Sequence, residues 1–347
     1  MRIAATGIAS FAHRPGPKRK PEKSLFLYDY SIFIRMKILI TGSAGFIASS
    51  LIPKLKADGH ELVGVDSLVS GSINCQFTSA DCIHHFFDIT NASKLNTLLE
   101  GVDLVYHLAA KGNVVESVED PVGNFVANVN STISLLESMR LVGCKRLIFS
   151  STGGALMGNA IPPVDESTIP KPISPYGASK LACEGYLSAY AASYDFSSIV
   201  LRFGNVYGPF SSHKAGVVNL WIRSLIKGDD VKIYGDGESS RDYIHVDDLT
   251  DGLLLALKRL NCPHYKGLET YHLANHVELT LNQLKEIVFN AFSSSASKVV
   301  YYPARPGEVN RNFADISLAK RVLNFNPSIP FDRGIQKLCN WILAHEF

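Results

Sequence analysis

The amino-acid sequence predicts an α/β fold, in which a doubly wound parallel sheet is followed by a smaller, mixed α/β domain. Short apolar segments alternate with helical ones from Met36 to Gly208. Strands separated by helices pair in parallel, because each connection crosses back over the sheet. After Gly208 the loops lengthen and prolines recur. We therefore assign residues 36–208 to the sheet domain and residues 209–347 mainly to the smaller one, with some segments returning to the sheet.

Apolar segments with turn residues at their ends predict the strands of the sheet: 37–42, 61–66, 83–89, 103–109, 146–152 and 197–208. Apolar periodicity predicts a helix after the first strand, another over 121–142, and a third that carries the sequence YGASK. The later segments HVDDL, TLNQLKEIVFNAF and ISLAKRVLN are also predicted to be helical. Ligands of such sheets bind at the carboxyl ends of the strands, where the chemically informative residues of this chain fall.

Composition argues against several classes of protein. Apolar residues make up 46% and charged residues 19% of the chain, as in ordinary globular proteins. The sequence contains no apolar run of the length that a membrane span requires, so we predict none. The six cysteines are scattered without a CxxC pair. This pattern indicates buried thiols in a reducing, cytoplasmic compartment, and we expect neither disulfides nor a metal site.

The net charge of +2 is unevenly distributed. Residues 1–35 hold seven Lys or Arg and two Asp or Glu, so residues 36–347 are mildly acidic and do not predict a nucleic-acid partner. The first 35 residues lack the single apolar core of a secretory signal. We interpret them as a basic extension, either disordered or produced by an upstream start, with an organelle-targeting segment as the alternative.

A glycine-rich turn after the first strand predicts a dinucleotide site. The stretch TGSAGFIA places Gly42 at the strand end and Gly45 at the helix start, ahead of Phe46 and Ile47. Glycines there let the backbone approach a pyrophosphate, and the helix N-terminus supplies oriented N–H groups. Asp66 ends the second strand, where a carboxylate can accept both ribose hydroxyls and would repel a 2′-phosphate. The pattern favours NAD over NADP, although each residue alone could simply form a turn.

The sequence SPYGASK places Tyr176 four residues before Lys180, so both side chains share one face of a helix. A phenol ordinarily loses its proton near pH 10, and a neighbouring cation or the positive ring of bound NAD⁺ favours the phenolate. Such a phenol could act as a general base toward a sugar hydroxyl. Taken alone, the two residues fit a surface tyrosine and lysine without a catalytic role better than a catalytic pair.

Hydroxyl groups at the end of the fifth strand, in FSSTGGA, complete a family resemblance. With the glycine turn and YxxxK, the chain from Met36 onward resembles an extended short-chain dehydrogenase/reductase of the nucleotide-sugar epimerase/dehydratase group. The resemblance implies a Rossmann-like NAD-binding domain and the catalytic residues Thr152, Tyr176 and Lys180. Ala48 replaces the family's usual third glycine, and its small side chain still permits close packing of helix on strand.

The resemblance also implies which residues bind cofactor and substrate. On the cofactor side they are Gly42, Gly45, Phe46, Ile47, Asp66, Asp88, Ile89, Leu108, Ala109, Ala110, Asn128, Tyr176 and Lys180. On the side of a UDP-sugar they are Thr152, Asn205, Arg241, Arg305, Glu308 and Asn312. The arginines suit the diphosphate, because planar guanidinium groups bind phosphate oxygens in pairs.

Two glycines after Thr152 distinguish the reactions found in this family. Dehydratase relatives carry an Asp–Glu pair there and decarboxylase relatives a Glu, whereas this chain has Gly153 and Gly154. An epimerase needs only room for the 4-keto sugar to turn, which paired glycines could supply. We therefore expect C4 epimerisation of a UDP-hexose, with another nucleotide-sugar oxidoreductase, a ketoreductase or dehydratase, as the alternative. Asn312, where relatives place tyrosine or a smaller residue, favours tolerance of a 2-acetamido group.

Two further expectations concern assembly and activity. The resemblance implies a homodimer, in which helix 121–142 and the YGASK helix pair with their copies. A non-catalytic NAD-binding sensor remains an alternative from another class of protein. Such proteins commonly lose the tyrosine or the lysine, and this chain keeps both.

Overall fold

A computed structural model describes residues 35–69, 81–211, 214–292, 297–305 and 309–345. Its central strands are β1 (Lys37–Thr41), β2 (Glu61–Asp66), β3 (Ile83–Phe86), β4 (Leu104–His107), β5 (Arg146–Thr152), β6 (Ser197–Phe203) and β11 (Gly267–Leu273). They form one seven-stranded parallel sheet in the order β11-β6-β5-β4-β1-β2-β3. Short pairs outside it join β7 (Asn205–Tyr207) to β10 (Tyr243–His245), β9 (Ser240–Arg241) to β12 (Leu279–Thr280), and β8 (Val231–Tyr234) to β13 (Val299–Tyr302).

Helices connect most of these strands. They are α1 (Phe46–Ala57), α2 (Ala92–Leu99), α3 (Val114–Glu119), α4 (Pro121–Phe125), a π-helical turn (Val126–Asn130), α5 (Ser131–Val142), α6 (Gly154–Met157), α7 (Pro175–Tyr194), α8 (Val217–Lys227), α9 (Val246–Leu260), α10 (Leu281–Ala291), α11 (Ser317–Leu323) and α12 (Phe331–His345). The predicted doubly wound parallel sheet is thereby confirmed, and β11 from the second half of the chain completes it beside β6.

Helices cover both faces of the sheet, because its inner strands are apolar on both sides. Along β1, Ile38 and Ile40 belong to the apolar cluster on one face, which α1 and α9 complete. Leu39 points to the opposite face and joins the cluster formed with α5 and α7. A third cluster, which includes Trp221 and Leu338, lies among α8, α10 and α12.

Two predicted elements are interrupted. The segment 197–208 forms β6 and then, after Gly204, β7, which pairs with β10 outside the sheet. A Cβ atom on Gly204 would lie 3.1 Å from the carbonyl oxygen of Asp242, so the two backbones approach closely there. The predicted helix 121–142 contains a π-helical turn, Val126–Asn130, a distortion that often occurs at functional sites.

Within the described ranges, no helix combines the length and the apolar character needed to cross a membrane, and no cluster of His, Cys, Asp and Glu could hold a metal ion. The cysteines found there are free. The predicted basic extension lies outside the described residues, except for Arg35.

Candidate active site

The glycine-rich turn joins β1 to α1 at the carboxyl edge of the sheet. Gly42 has a left-handed backbone (φ +69°), and a Cβ atom there would lie 2.8 Å from the backbone nitrogen of Ala109. Only glycine fits this crossing with the loop after β4. No side chain caps the N-terminus of α1, which Gly45 precedes, and its N–H groups suit a pyrophosphate. The turn therefore fits a bound dinucleotide.

Asp66 is fixed at the end of β2 beside this turn. Its carboxylate accepts hydrogen bonds from the backbone N–H groups of Ala44 at 3.0 Å and Leu68 at 2.8 Å. The side chain of Phe46 is buried in the core and that of Ile47 packs against it, so these two residues can offer a ligand chiefly their backbone. The carboxylate of Asp66 is therefore held beside the glycine turn, and its contact with a ribose stays a prediction.

The glycine turn is also held by a hydrogen bond that the sequence does not indicate. The hydroxyl oxygen of the buried Ser43 lies 3.0 Å from Nδ1 of His84 on β3. A Cβ atom on Gly64 would lie 2.6 Å from the same hydroxyl, so β2 cannot accommodate a side chain at that position. No local pattern links these three residues, because they come from three different segments.

The remaining cofactor-side residues are held by the protein itself. Leu108 and Ala109 donate their N–H groups to the carbonyl and hydroxyl oxygens of Thr41, each at 3.2 Å. Asp88 accepts the N–H of Thr90 at 2.9 Å, and Ile89 is buried in the core. Leu108 and Ala110 are both half-buried. The loop after β4 therefore packs against the edge of the sheet.

Asn128, on the π-helical turn, holds the loop after β4 by hydrogen bonds. Its Oδ1 accepts the N–H of Lys111 at 2.8 Å, and its Nδ2 donates to the carbonyl oxygen of Lys111 at 3.1 Å. The same Nδ2 donates to the hydroxyl of Ser179 at 3.0 Å, and that hydroxyl donates to the carbonyl oxygen of Tyr176 at 2.8 Å. Asn128 thus ties the loop after β4 to the helix that carries Tyr176.

Tyr176 and Lys180 lie on α7, as predicted. Ser174 caps this helix by accepting the N–H of Gly177. Lys180 is buried, and its ammonium group donates to the carbonyl oxygen of Ser150 at 2.8 Å and lies 4.7 Å from the ring centroid of Phe149. The half-buried Tyr176 places its hydroxyl 3.8 Å from the position of a Cβ atom on Gly112. Both side chains therefore reach the edge where β4 and β5 end.

Burial shifts the pKa values of both members of the pair. Burial raises the pKa of Tyr176 to about 12, with the neighbouring Cys183 acting in the same direction. Burial lowers the pKa of Lys180 to about 8. Burial therefore disfavours the phenolate of Tyr176, whereas the positive ring of bound NAD⁺ would favour it, so the acidic phenol stays a prediction for the NAD-bound protein.

Thr152 ends β5 and is half-buried, and its hydroxyl accepts the N–H of Ala155 at 3.4 Å. The preceding Ser151 donates its hydroxyl to Glu184 on α7 at 2.6 Å. Glu184 in turn pairs with Arg202 on β6 at 2.7 Å, and both side chains are buried. The hydrogen bond from Ser151 fixes the end of β5 to α7, and the ion pair fixes α7 to β6. Its only sequence signal is that Glu184 lies two turns beyond Tyr176.

Three of the residues implied for the substrate come together on one side of the site. Arg241 donates to the carbonyl oxygen of Ser240 at 2.7 Å, and the same oxygen accepts the N–H of Asn312 at 3.1 Å. Asn205 is exposed on β7 and pairs with Tyr243 of β10, which lies two residues beyond Arg241 in the chain. Arg305 lies on another segment, with its guanidinium 3.5 Å from the ring centroid of Tyr234.

Glu308, the remaining substrate-side residue, lies outside the described residues.

The two glycines after Thr152 do not simply leave open space. A Cβ atom on Gly153 would lie 3.2 Å from Nδ1 of His272 and 3.3 Å from the carbonyl oxygen of Phe203. A Cβ atom on Gly154 would lie 3.4 Å from Oδ1 of Asn312. The expectation that both glycines supply room is therefore wrong for Gly153, which packs against the protein, whereas Gly154 faces a residue implied for the sugar.

Comparisons with known proteins identify the family of the chain. The family model described as the NAD dependent epimerase/dehydratase family matches residues 38–274. Among curated proteins, the chain is 34% identical to a putative UDP-glucose 4-epimerase of Methanocaldococcus jannaschii, covering 88% of this chain and 98% of that one. It is 34% identical to the UDP-glucose 4-epimerase of Mycolicibacterium smegmatis, with 87% and 97% covered. It is 31% identical to a UDP-glucuronate 4-epimerase of Thermodesulfobacterium geofontis, with 87% and 95% covered.

Solved structures are similar over the same length. The UDP-glucose 4-epimerase of Thermotoga maritima, solved with UDP-glucose, gives a TM-score of 0.84 at 32% identity, with 90% of this chain and 100% of that one covered. The UDP-glucose 4-epimerase of Thermus thermophilus, a complex with NAD, gives 0.82 at 32% identity, with 89% and 99% covered. The UDP-N-acetylglucosamine 4-epimerase of Methanobrevibacter ruminantium, in complex with UDP-N-acetylmuramic acid, gives 0.79 at 30% identity, with 89% and 99% covered.

Proposed function

Because the chain belongs to the NAD-dependent epimerase/dehydratase family, we propose that it is a UDP-hexose 4-epimerase that interconverts UDP-glucose and UDP-galactose. Its relatives are NAD-dependent UDP-sugar 4-epimerases, so the chain is an NAD-dependent enzyme of the isomerase type. The observation that carries the proposal is the hydrogen bond from Lys180 to Ser150, which holds the helix of Tyr176 against the strand that ends at Thr152.

In the proposed mechanism, Tyr176 as phenolate takes the proton from the C4 hydroxyl of the sugar, and Thr152 donates a hydrogen bond to the same oxygen. Lys180 stabilises the phenolate by its positive charge. NAD, when bound, supplies the hydride acceptor at C4 and the hydride donor for the return step. After the keto sugar has turned, Tyr176 gives the proton back to the oxygen. The chain needs no further acid or base for this reaction.

A dehydratase is the second candidate, and the residues after Thr152 argue against it. Elimination requires an acid and a base close to the sugar's C5 and C6. Gly153 packs against His272, and the next carboxylates along the chain are engaged within the protein. Asp165 accepts hydrogen bonds from the hydroxyls of Ser167 at 2.8 Å and Thr168 at 2.9 Å.

We further propose that the enzyme accepts 2-acetamido sugars. Asn312 is buried and lies opposite Gly154, with no hydrogen-bond partner for its Nδ2 atom among the described residues. A buried amide without a partner is costly, so a polar group of the ligand is a suitable acceptor for it. A 2-acetamido carbonyl could supply that acceptor.

Product analysis tests the proposed function. The purified protein is incubated with UDP-glucose, UDP-galactose and their 2-acetamido forms, and the products are separated by chromatography and weighed by mass spectrometry. An epimerase gives a new isomer of unchanged mass with no net change in NADH absorbance. A product lighter by one water would identify a dehydratase, and stoichiometric consumption of NADH or NADPH would identify a ketoreductase. No new isomer from any of these sugars would refute the proposal.

We also propose that the protein is a cytoplasmic homodimer. Free cysteines support a reducing compartment. Along the helices that the family resemblance implies for the dimer, apolar side chains are exposed, with 71% of Val122 and 53% of Phe125 accessible. On α7 the exposed surface includes Gly185 and Ala189, which would let a second helix approach closely. Such contiguous exposed apolar surface is typical of a subunit interface.

A further inference from the structure

A single buried carboxylate, Asp242, joins the segments that carry the residues implied for the substrate. It directly follows Arg241 and is only 3% exposed. Its Oδ1 accepts the N–H of Asn275 at 2.8 Å, and its Oδ2 accepts the N–H groups of His276 at 3.0 Å and Ala314 at 3.3 Å. Three backbone donors from two distant segments therefore converge on one side chain.

The backbone of Asp242 makes the remaining connection. Its carbonyl oxygen accepts the N–H of Asn205 at 2.7 Å. Asn205 is thereby fixed to the residue after Arg241, while Ala314 lies two residues beyond Asn312. Asp242 thus touches or adjoins all three segments that bear Asn205, Arg241 and Asn312.

The turn after β11 is shaped to hold this carboxylate. His276 has a left-handed backbone (φ +59°), so the consecutive N–H groups of Asn275 and His276 point to the same side and form an anion-binding nest. Nδ1 of His276 lies 2.7 Å from the carbonyl oxygen of Ala314, which ties the turn to the segment after Asn312. Burial raises the pKa of Asp242 to about 6, and the three N–H bonds favour its ionised form.

We propose that Asp242 is a positioning residue of the UDP-sugar site, which sets the relative places of Arg241, Asn205 and Asn312 without touching the substrate. This inference rests on the proposed function for the identity of the substrate. Replacement by asparagine keeps the shape but turns one oxygen into an N–H donor, which would face backbone N–H donors. The segments would then separate, and the substrate would lose its aligned contacts. The hydrogen bonds of Asp242 involve no residue of the glycine turn, so NAD should remain bound.

The chain offers a matched control in Asp248, on α9. It is 5% exposed, and its two oxygens accept the N–H groups of Ser328 at 3.0 Å and Ile329 at 2.9 Å. Asp248 is therefore a buried aspartate that also holds a distant backbone segment, but its partners carry none of the residues implied for the substrate. Asp248→Asn should lower stability without altering substrate affinity.

The test compares wild type, Asp242→Asn and Asp248→Asn as full-length proteins with their bound NAD. Calorimetric titration with UDP-glucose gives the Kd, epimerisation gives kcat and KM, and NAD content and Tm are measured on the same samples. For Asp242→Asn we expect Kd and KM to rise at least about tenfold, with kcat changed much less and NAD content retained. For Asp248→Asn we expect a Kd within about twofold of wild type despite a lower Tm.

Other outcomes overturn the inference. It fails if Asp242→Asn binds UDP-glucose as tightly as wild type, or if both variants weaken binding equally, because the effect would then be one of general stability. It also fails if Asp242→Asn and Asp242→Ser do not fold while the same changes at Asp248 do, since Asp242 would then be needed for folding. Wild type that binds UDP-glucose without forming an epimer would refute the proposed function, and the binding comparison would still decide the role of Asp242.

Discussion

The ammonium nitrogen of Lys180 and the carbonyl oxygen of Ser150 are 2.8 Å apart, so the lysine is fixed to the backbone of β5 two residues before Thr152. This contact determines where the positive charge lies. Since burial lowers the pKa of Lys180 to about 8, the lysine is still largely charged at neutral pH. Since burial raises the pKa of Tyr176 to about 12, the phenol keeps its proton in the free protein. A further positive charge, which we expect from the ring of bound NAD⁺, is needed to make the phenol a base.

Tyr176→Phe removes the proposed base while keeping the ring. We expect kcat to fall by about 10²–10⁴-fold, because positioned acid–base groups contribute about that much. The NAD content should stay near that of wild type. Epimer formation and NAD released on denaturation measure the two effects. Tyr194→Phe, on an exposed part of the same helix, serves as the control and should keep full activity. Unchanged turnover in Tyr176→Phe would remove the phenol from the mechanism.

Asn312→Tyr should change the preference among sugars. The added ring would extend from a buried position beside Gly154 and reduce the space that a 2-acetamido group requires. We expect kcat/KM for UDP-N-acetylglucosamine to fall at least about tenfold relative to that for UDP-glucose, the size of effect that a changed pocket wall produces. The two substrates control for each other. An equal loss on both would contradict a role of Asn312 in specificity.

Gly42→Ala should abolish the retention of NAD. The substitution forces a left-handed alanine and brings its Cβ to 2.8 Å from the nitrogen of Ala109. Gly59→Ala is the matched control, because Gly59 is also left-handed (φ +80°) and nothing lies within 4 Å of its Cβ position. Both variants should lose about 1–2 kcal/mol to backbone strain, and Gly42→Ala should lose more because its Cβ meets the backbone of Ala109. Only Gly42→Ala should lose the cofactor. NAD content and Tm measure the difference, and equal NAD content in both would contradict the assignment of the turn.

The strand ends were predictable because their chemistry is local. A glycine turn after an apolar segment pointed to Gly42, and the family resemblance selected Thr152 among the three hydroxyl residues that end a later strand. The separation of four residues between Tyr176 and Lys180 was sufficient to place them on one face of a helix. In each case, residues close in sequence are also close in space, and the periodicity of the element shows it.

The supports of the site were not predictable for the opposite reason. Asp242 acts on residues more than 30 positions away, and no periodic pattern records which backbone groups a buried carboxylate will meet. Gly153 shows the same limit. The sequence indicates that a side chain is missing there, whereas only the fold shows that the ring of His272 lies against it. Burial also raises the pKa of Tyr176, an effect that the sequence does not show because the extent of burial depends on the tertiary structure.

Charging the exposed face of the helix formed by α4 and the π-helical turn should prevent dimerisation. In the double variant Val122→Glu and Val126→Glu, carboxylates replace two exposed apolar side chains. A glutamate in the first turn of α4 favours the helix dipole, so the fold should be retained. We expect the mass measured by light scattering to shift from dimer to monomer. Leu343→Glu, on the exposed side of α12, is the control and should stay dimeric. A monomeric wild type would contradict the proposed dimer.

His107→Asn should make the free energy of unfolding fall less steeply as the pH is lowered. His107 is buried between the hydroxyls of Thr41 at 2.7 Å and Thr132 at 3.0 Å, and burial lowers its pKa to about 3. The hydroxyl of Thr132 donates to the carbonyl oxygen of Asn128, so it accepts from Nε2–H of His107. A pKa of about 3 leaves His107 neutral near pH 7.

An unfolded histidine binds a proton below about pH 6.5, whereas folded His107 does not until about pH 3. As the pH falls between these values, the unfolded state binds the additional proton, and the free energy of unfolding falls by up to about 1.4 kcal/mol per pH unit. The asparagine variant loses this term, so its stability should fall less steeply than that of wild type between pH 6 and pH 4, even if it starts lower. Urea unfolding at each pH measures the slopes. Parallel slopes would mean that His107 does not remain neutral in the folded protein.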